Sequence, residues 1–228
     1  MKRSVAIFDI DGTVFRSSLF TELVDALIRE GIFPAEMVRD YEHEKTAWLE
    51  RTGEYDAYLN TIVASFMTHL KGVHYADFAS VAEEVVAYHH NRVYKYTRDL
   101  LQSLKAQRYF LLAVSQSPKT ILEGFCKNLG FDKVYGRMYP IGPENRFTGE
   151  VQDLHLIANK ANIVKRAIEK DNLTLEGSYG IGDTESDISF LELVETPICF
   201  NPNKELYRHA RRNSWKVVVE RKDVIYHL

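Results

Sequence analysis

The sequence predicts an α/β protein in which a doubly wound, mostly parallel sheet is interrupted by an all-α insertion. Three observations predict it. Short apolar runs followed by a polar residue recur at Val5–Phe8, Tyr109–Val114, Ser178–Gly182 and Pro197–Phe200, as buried parallel strands do. Segments with apolar residues at helical spacing stand between the later runs, and this alternation implies a sheet covered on both faces. Between about residues 15 and 92 the alternation stops and only helical periodicity remains, so a helical bundle is expected there. The expected organisation is therefore a core of residues 1–15 and 94–228, with residues 16–93 as a helical cap.

The elements follow in order. Val5 to Phe8 is the first strand, and Asp9-Ile10-Asp11-Gly12-Thr13 leads out of it through a glycine suited to a sharp turn. Leu19, Phe20, Leu23, Val24, Leu27 and Ile28 form one helical face, stopped by Gly31 and Pro34. Further helical faces run over Met37–Leu49, Tyr58–Leu70 and Phe78–Val86, punctuated by Gly53 and Gly72. A helix near Thr97–Gln107 precedes the second strand, which ends at Ser115. Ser117-Pro118 then reads as a helix start, with serine as N-cap and Gly130 beyond the end. Val134-Tyr135 is expected as a strand. Pro140, Gly142, Pro143 and Gly149 mark a hairpin-like excursion over 137–150. A helix from Asn159 to Lys170, a strand into Asp183, a helix through Val194, and a final strand, helix, strand succession to Val219 complete the chain.

The 228 residues suffice for a core domain carrying an insertion. A net charge of -3, from 29 basic and 32 acidic residues, gives no global attraction to nucleic acid or an anionic membrane, so neither is an expected partner. Cys126 and Cys199 lie in apolar stretches, and buried reduced thiols in a cytoplasmic protein are expected. Met1-Lys2-Arg3 imitates a secretory leader, but Asp9 and Asp11 interrupt the apolar run that would follow. No Cys-His zinc spacing or H-E-x-x-H pattern occurs among the histidines, and the basic residues from Arg208 to Lys216 read as a solvated helix face.

Asp9 and Asp11 stand two residues apart at the expected carboxyl end of the first strand. On a continuing strand both would face one side, and such a pair stays ionised only beside a cation, which points to oxygen-ligated Mg²⁺. Ser115 and Asp183 fall at other strand ends, where open α/β sheets bind ligands. Phe8-Asp9-Ile10-Asp11-Gly12-Thr13, Val114-Ser115, Lys160 and Gly182-Asp183-Thr184-Glu185-Ser186-Asp187 together resemble, in order, the four motifs of the haloacid dehalogenase-like superfamily. The helical insertion after the first motif, and Asn159-Lys160-Ala161, resemble its phosphoserine phosphatase-like branch.

That resemblance implies a Rossmann-like core and a Mg²⁺-dependent phosphatase acting on a small phosphate monoester through an aspartyl-phosphate. Asp9 would be nucleophile and metal ligand, and Asp11 general acid and base. Asp183 and the main-chain carbonyl of Asp11 would complete the metal set. Ser115 and Lys160, with Gln116 beside them, would bind the phosphate. Asp187 and Thr13 would orient these groups, and Thr184 to Asp187 also fits a capping box. Dehalogenases of the superfamily lack the aspartate at the position of Asp11, which favours phosphoryl transfer. A phosphotransferase using the same intermediate, and a catalytically silent phosphate-binding protein, are the competing readings.

Substrate identity is less legible. Phosphoserine phosphatase carries a glutamate where this chain has Ser18, continues its second motif as Ser-Gly-Gly where this chain has Ser115-Gln116-Ser117-Pro118, and has a cap arginine with no counterpart near Ala64. A small ester other than L-phosphoserine is expected, with phosphoserine as the alternative and a monomer or homodimer as the assembly.

Overall fold

In the computed structural model, residues 2–152 and 159–228 are described. The chain divides into two compact units, made of the described parts of 1–19, 89–137 and 153–228, and of 20–88 with 138–152.

The first unit is built on a seven-stranded sheet of order β3-β2-β1-β4-β5-β6-β7. Its strands are β1 (Arg3–Phe8), β2 (Phe110–Pro118), β3 (Lys133–Arg137), β4 (Leu173–Gly182), β5 (Thr196–Phe200), β6 (Lys216–Arg221) and β7 (Val224–His227). All neighbours pair in parallel except β6 and β7. β1 lies centrally because both its faces are apolar, with Val5, Ala6, Ile7 and Phe8 fully buried. Phe8 pairs with Ala113 on one side and Ile181 on the other. This register brings the carboxyl ends of β1, β2 and β4 to one edge, at the point where strand order reverses.

Helices α5 (Lys95–Ala106), α6 (Lys119–Leu129), α7 (Lys160–Lys170), α8 (Ile188–Leu191) and α9 (Lys204–Arg212) belong to this unit. Ile163, Val164 and Ala167 of α7, Phe190 and Leu191 of α8, and Leu206 and Ala210 of α9 join Val5, Ile7, Leu112, Val114 and Val217 in one core. Across the unit, Phe8 meets Phe131 and Phe15 meets Phe125 edge to face. Cys126 and Cys199 are both free and buried.

The second unit holds most of α1 (Leu19–Arg29), with α2 (Glu42–Leu49), α3 (Tyr55–Leu70) and α4 (Tyr75–His89). A six-residue 3-10 segment covers Ala35–Asp40. The core of the unit is aromatic: Phe66 contacts Phe20, Phe33 and Phe78 through edge-on rings. The 138–152 excursion packs on these helices. Phe147 lies 5.0 Å from Phe78, its carbonyl accepts from the Gly72 N–H at 2.9 Å, and Arg146 donates to the Gly72 carbonyl at 2.7 Å. Antiparallel bridges Ile141–Phe147 and Met138–Gln152 give it the hairpin character that its prolines and glycines predict.

The doubly wound sheet and the helical insertion stand as expected, but several local boundaries differ. β1 ends at Phe8, so Asp9 and Asp11 lie beyond the strand and the period-two argument does not apply to them. β2 continues through Pro118, and α6 starts directly after it with no side-chain cap; the expected Ser117 N-cap is absent because its hydroxyl is engaged elsewhere. β4 begins earlier, at Leu173, with a register irregularity opposite Ser4–Ala6. The helix after Asp183 is a 3-10 turn, Glu185–Asp187, followed by only the four residues of α8. β7 was not expected. Among the described residues no helix is long and apolar enough to cross a membrane.

Candidate active site

Three chain segments meet at the carboxyl edge of the sheet: those following β1 and β4, and the last residues of β2. The Asp9 amide donates to the Ile181 carbonyl at 2.9 Å, which continues the β1–β4 ladder by one bond and points Asp9 into the edge. Asp9 is 5% exposed, and its Oδ1 accepts from Lys160 Nζ at 2.6 Å. The same ammonium donates to Asp187 Oδ1 at 2.5 Å. Lys160 reaches both because it is the first residue of α7, whose N-cap Asn159 accepts from the Ala161 N–H at 2.9 Å. Among the described residues, buried Asp9 Oδ2 has no hydrogen-bond partner.

Asp187 is fully committed. Its Oδ2 accepts from the N–H groups of Asp183 at 2.9 Å and Thr184 at 3.1 Å, closing a capping box, while Oδ1 holds Lys160. The capping and site contacts expected of Asp187 thus coexist in one carboxylate. Gly182 permits the approach, since a Cβ there would lie 2.6 Å from the Asp187 carboxyl carbon. Thr13 Oγ1 donates to Asp183 Oδ1 at 3.3 Å. Gly12, at φ +79°, turns the chain under Asp183; a Cβ on it would sit 2.1 Å from Asp183 Oδ2.

Asp11 faces different partners. Its Oδ1 accepts from the Leu19 N–H at 2.6 Å, and its Oδ2 accepts from the hydroxyls of Ser115 at 2.6 Å and Ser117 at 2.8 Å. Asp9 and Asp11 therefore do not form the shared carboxylate pair that their spacing suggested. The carboxylates that converge are Asp9, Asp183 and Asp187, each with an oxygen within 4.8 Å of the others. Ser115 and Lys160 are at the site, and both are engaged by carboxylates. Gln116 is not gathered in: its exposed side chain accepts from Arg137 at 2.6 Å.

The electrostatics follow from crowding. Desolvation pushes the Asp9 carboxyl up to about 7, with Lys160 opposing and the charges of Asp187 and Asp11 adding. Desolvation, then the charges of Asp9 and Asp187, push Asp183 well above the usual carboxylate range. Burial also raises Asp11, against its bonds from Ser115, Ser117 and the Leu19 N–H. Lys160 shows the complement: burial alone would lower it, but Asp187 and Asp9 hold it raised. When ionised, three carboxylates and one ammonium carry two excess negative charges, and one Asp9 oxygen has no partner among the described residues. Such an all-oxygen set fits a hard divalent cation, with Asp9 and Asp183 as the donors left over once Asp187 is spent on amides and Lys160.

Ser117 is the site residue that sequence reasoning missed. The signal was its two-residue spacing from Ser115, which on a continuing strand puts both hydroxyls on one side; the following proline instead suggested that the strand had ended.

A family model described as haloacid dehalogenase-like hydrolase matches residues 6–192. A histidinol-phosphatase of Neisseria meningitidis serogroup C is 24% identical, over 95% of this chain and 98% of its own length. A protein of unknown function from Bordetella pertussis Tohama I superposes with a TM-score of 0.74 at 19% identity, over 95% of this chain and 98% of that one. A phospho-aspartyl intermediate analogue of phosphoserine phosphatase superposes with a TM-score of 0.61 at 18% identity, covering 98% and 96%. At these identities the structural likenesses establish a shared fold.

Proposed function

The chain belongs to the haloacid dehalogenase-like hydrolase family, and from that premise we propose that it is a Mg²⁺-dependent phosphatase that hydrolyses a small phosphate monoester through a phosphorylated Asp9. The observation that carries this reading is the state of Asp9: buried, anchored through Oδ1 by Lys160, and without a hydrogen-bond partner at Oδ2 among the described residues. A nucleophile needs that combination of fixed orientation and an available oxygen.

In the first step an Asp9 oxygen bonds to phosphorus as the bond to the leaving oxygen breaks, and Asp11 gives that oxygen a proton. In the second step Asp11 takes a proton from water, whose oxygen attacks phosphorus and releases Asp9. The proton lent in the first step is thereby returned, and ester plus water becomes alcohol plus phosphate. Lys160 and the Ser115 hydroxyl stabilise the equatorial oxygens. Asp187 keeps Lys160 directed at Asp9, and Thr13 steadies Asp183. Asp9 and Asp183, with the main-chain carbonyl of Asp11, are the proposed Mg²⁺ ligands. The bound ion supplies positive charge that offsets repulsion between carboxylate and phosphate.

Phosphate release from a panel of monoesters tests the reading. The N. meningitidis relative's name makes histidinol phosphate one member, and O-phosphoserine is another. With Ser18 in place of a recognising glutamate, phosphoserine is expected not to lead the panel. Asp9→Asn should lower turnover by roughly 10³-fold or more with the fold retained. Undiminished hydrolysis in that variant would overturn the nucleophile assignment. Phosphorylated acceptor in place of free phosphate would convert the reading to a phosphotransferase.

A further inference from the structure

We propose that Ser117 is a positioning residue that retains Asp11 when the Ser115 hydroxyl turns to the substrate phosphate; the inference rests on the phosphatase reading above. The basis is a count of protons and lone pairs. A serine hydroxyl has one proton to donate. That of Ser115 is directed at Asp11 Oδ2, and its oxygen also accepts from the Ser117 N–H at 2.9 Å. Ser115 therefore cannot donate to a phosphate oxygen and to Asp11 at once. When it serves the phosphate, the side-chain donor left on Asp11 Oδ2 among the described residues is Ser117, at 2.8 Å.

Ser117 suits that duty in three ways. It is 4% exposed, so bulk water does not compete for the bond. It lies on β2, on the same side as Ser115, so a strand and not a mobile loop fixes its position. Its hydroxyl is not consumed by the following helix, which starts without a side-chain cap although serine before proline is a favourable start signal. The third contact on Asp11, the Leu19 N–H at Oδ1, can only donate. A hydroxyl both donates and accepts, so Ser117 can keep hold of Oδ2 as the carboxyl gives up and regains its proton.

A leaving-group comparison tests the assignment. Phosphate release is measured with Mg²⁺ on p-nitrophenyl phosphate, whose leaving group departs without a proton, and on phenyl phosphate, whose leaving group needs more help. The readout is kcat/KM, which reports transfer to Asp9. Ser117→Ala should lose about 10 to 100-fold on phenyl phosphate, the scale of impaired general acid catalysis, and much less on p-nitrophenyl phosphate. Ser117→Thr should restore most of the loss. Ser115→Ala should raise KM on both probes, because its proposed partner is the phosphate. Equal losses on the two probes in Ser117→Ala, or none on either, would overturn the proposal. Should the alanine variant not fold, Ser117→Cys keeps the volume with a weaker donor, and the same inequality is required of it. Wild-type turnover of p-nitrophenyl phosphate, and its loss in Asp9→Asn, reports separately on the phosphatase reading.

Discussion

Gly12 has two reasons to be glycine, one in its backbone and one in its neighbour. Its left-handed φ costs an L side chain about 1–2 kcal/mol, and any Cβ would collide with Asp183. Gly12→Ala should therefore lower the melting temperature by roughly 2–8 °C and reduce phosphate release as well; normal values of both would show that the loop simply moves aside. The two cysteines give a second check at this scale. Burial pushes the Cys199 thiol up to about 12 and the Cys126 thiol well above its usual range. Neither should react with a thiol reagent at neutral pH in the folded protein, and both should react in denaturant; rapid labelling of the native chain would contradict that packing. Single residues were unevenly legible in the sequence. Asp9, Asp11 and Asp183 stood out because acids directly after apolar runs are rare in a buried sheet. Ser117 did not, because its meaning depends on β2 continuing three residues past Ser115, and a proline argued against that.

The elements show how a helix end can set a side chain in a site. α7 begins with Asn159 as cap and Lys160 as first residue, so the cap that starts the helix also aims the ammonium. Asn159→Ala should cost about 1 kcal/mol in urea unfolding and also impair turnover, by loosening Lys160; a stability loss with full activity would separate the two roles. The 138–152 excursion makes a complementary point. Its turn residues were readable, but its packing partner was not, because Phe147 meets Phe78 across a long stretch of sequence and local periodicity carries no information about such contacts. Phe147 is 4% exposed, and Phe147→Ala should destabilise the helical unit by about 3–5 kcal/mol. Unchanged denaturation of that variant would mean the excursion contributes little to the unit.

For the whole molecule, the excess negative charge in the carboxylate cluster predicts that a divalent ion acts on stability as well as on chemistry. Mg²⁺ at about a hundred times its dissociation constant should stabilise the metal-free protein by about 2.7 kcal/mol, roughly 5–10 °C in melting temperature for a chain of this size. Asp183→Asn should abolish most of that shift. An unshifted melting curve in the wild type would remove the metal from the proposed function without touching the family assignment. The fold was legible at this scale because strand and helix periods alternate plainly, and because one long block without strands can only be an insertion.

The strand order also bears on how such a chain can diversify. The groups proposed for the chemistry follow β1 and β4, lie near the end of β2, or begin α7, whereas the chain leaves for the helical unit after β1 and again after β3. Either excursion can be lengthened, shortened or exchanged without altering the lengths of β1, β2 and β4. A descendant that altered either excursion would inherit the carboxylates intact, and a chimera carrying a foreign helical segment between residues 20 and 88 is the laboratory counterpart of that change.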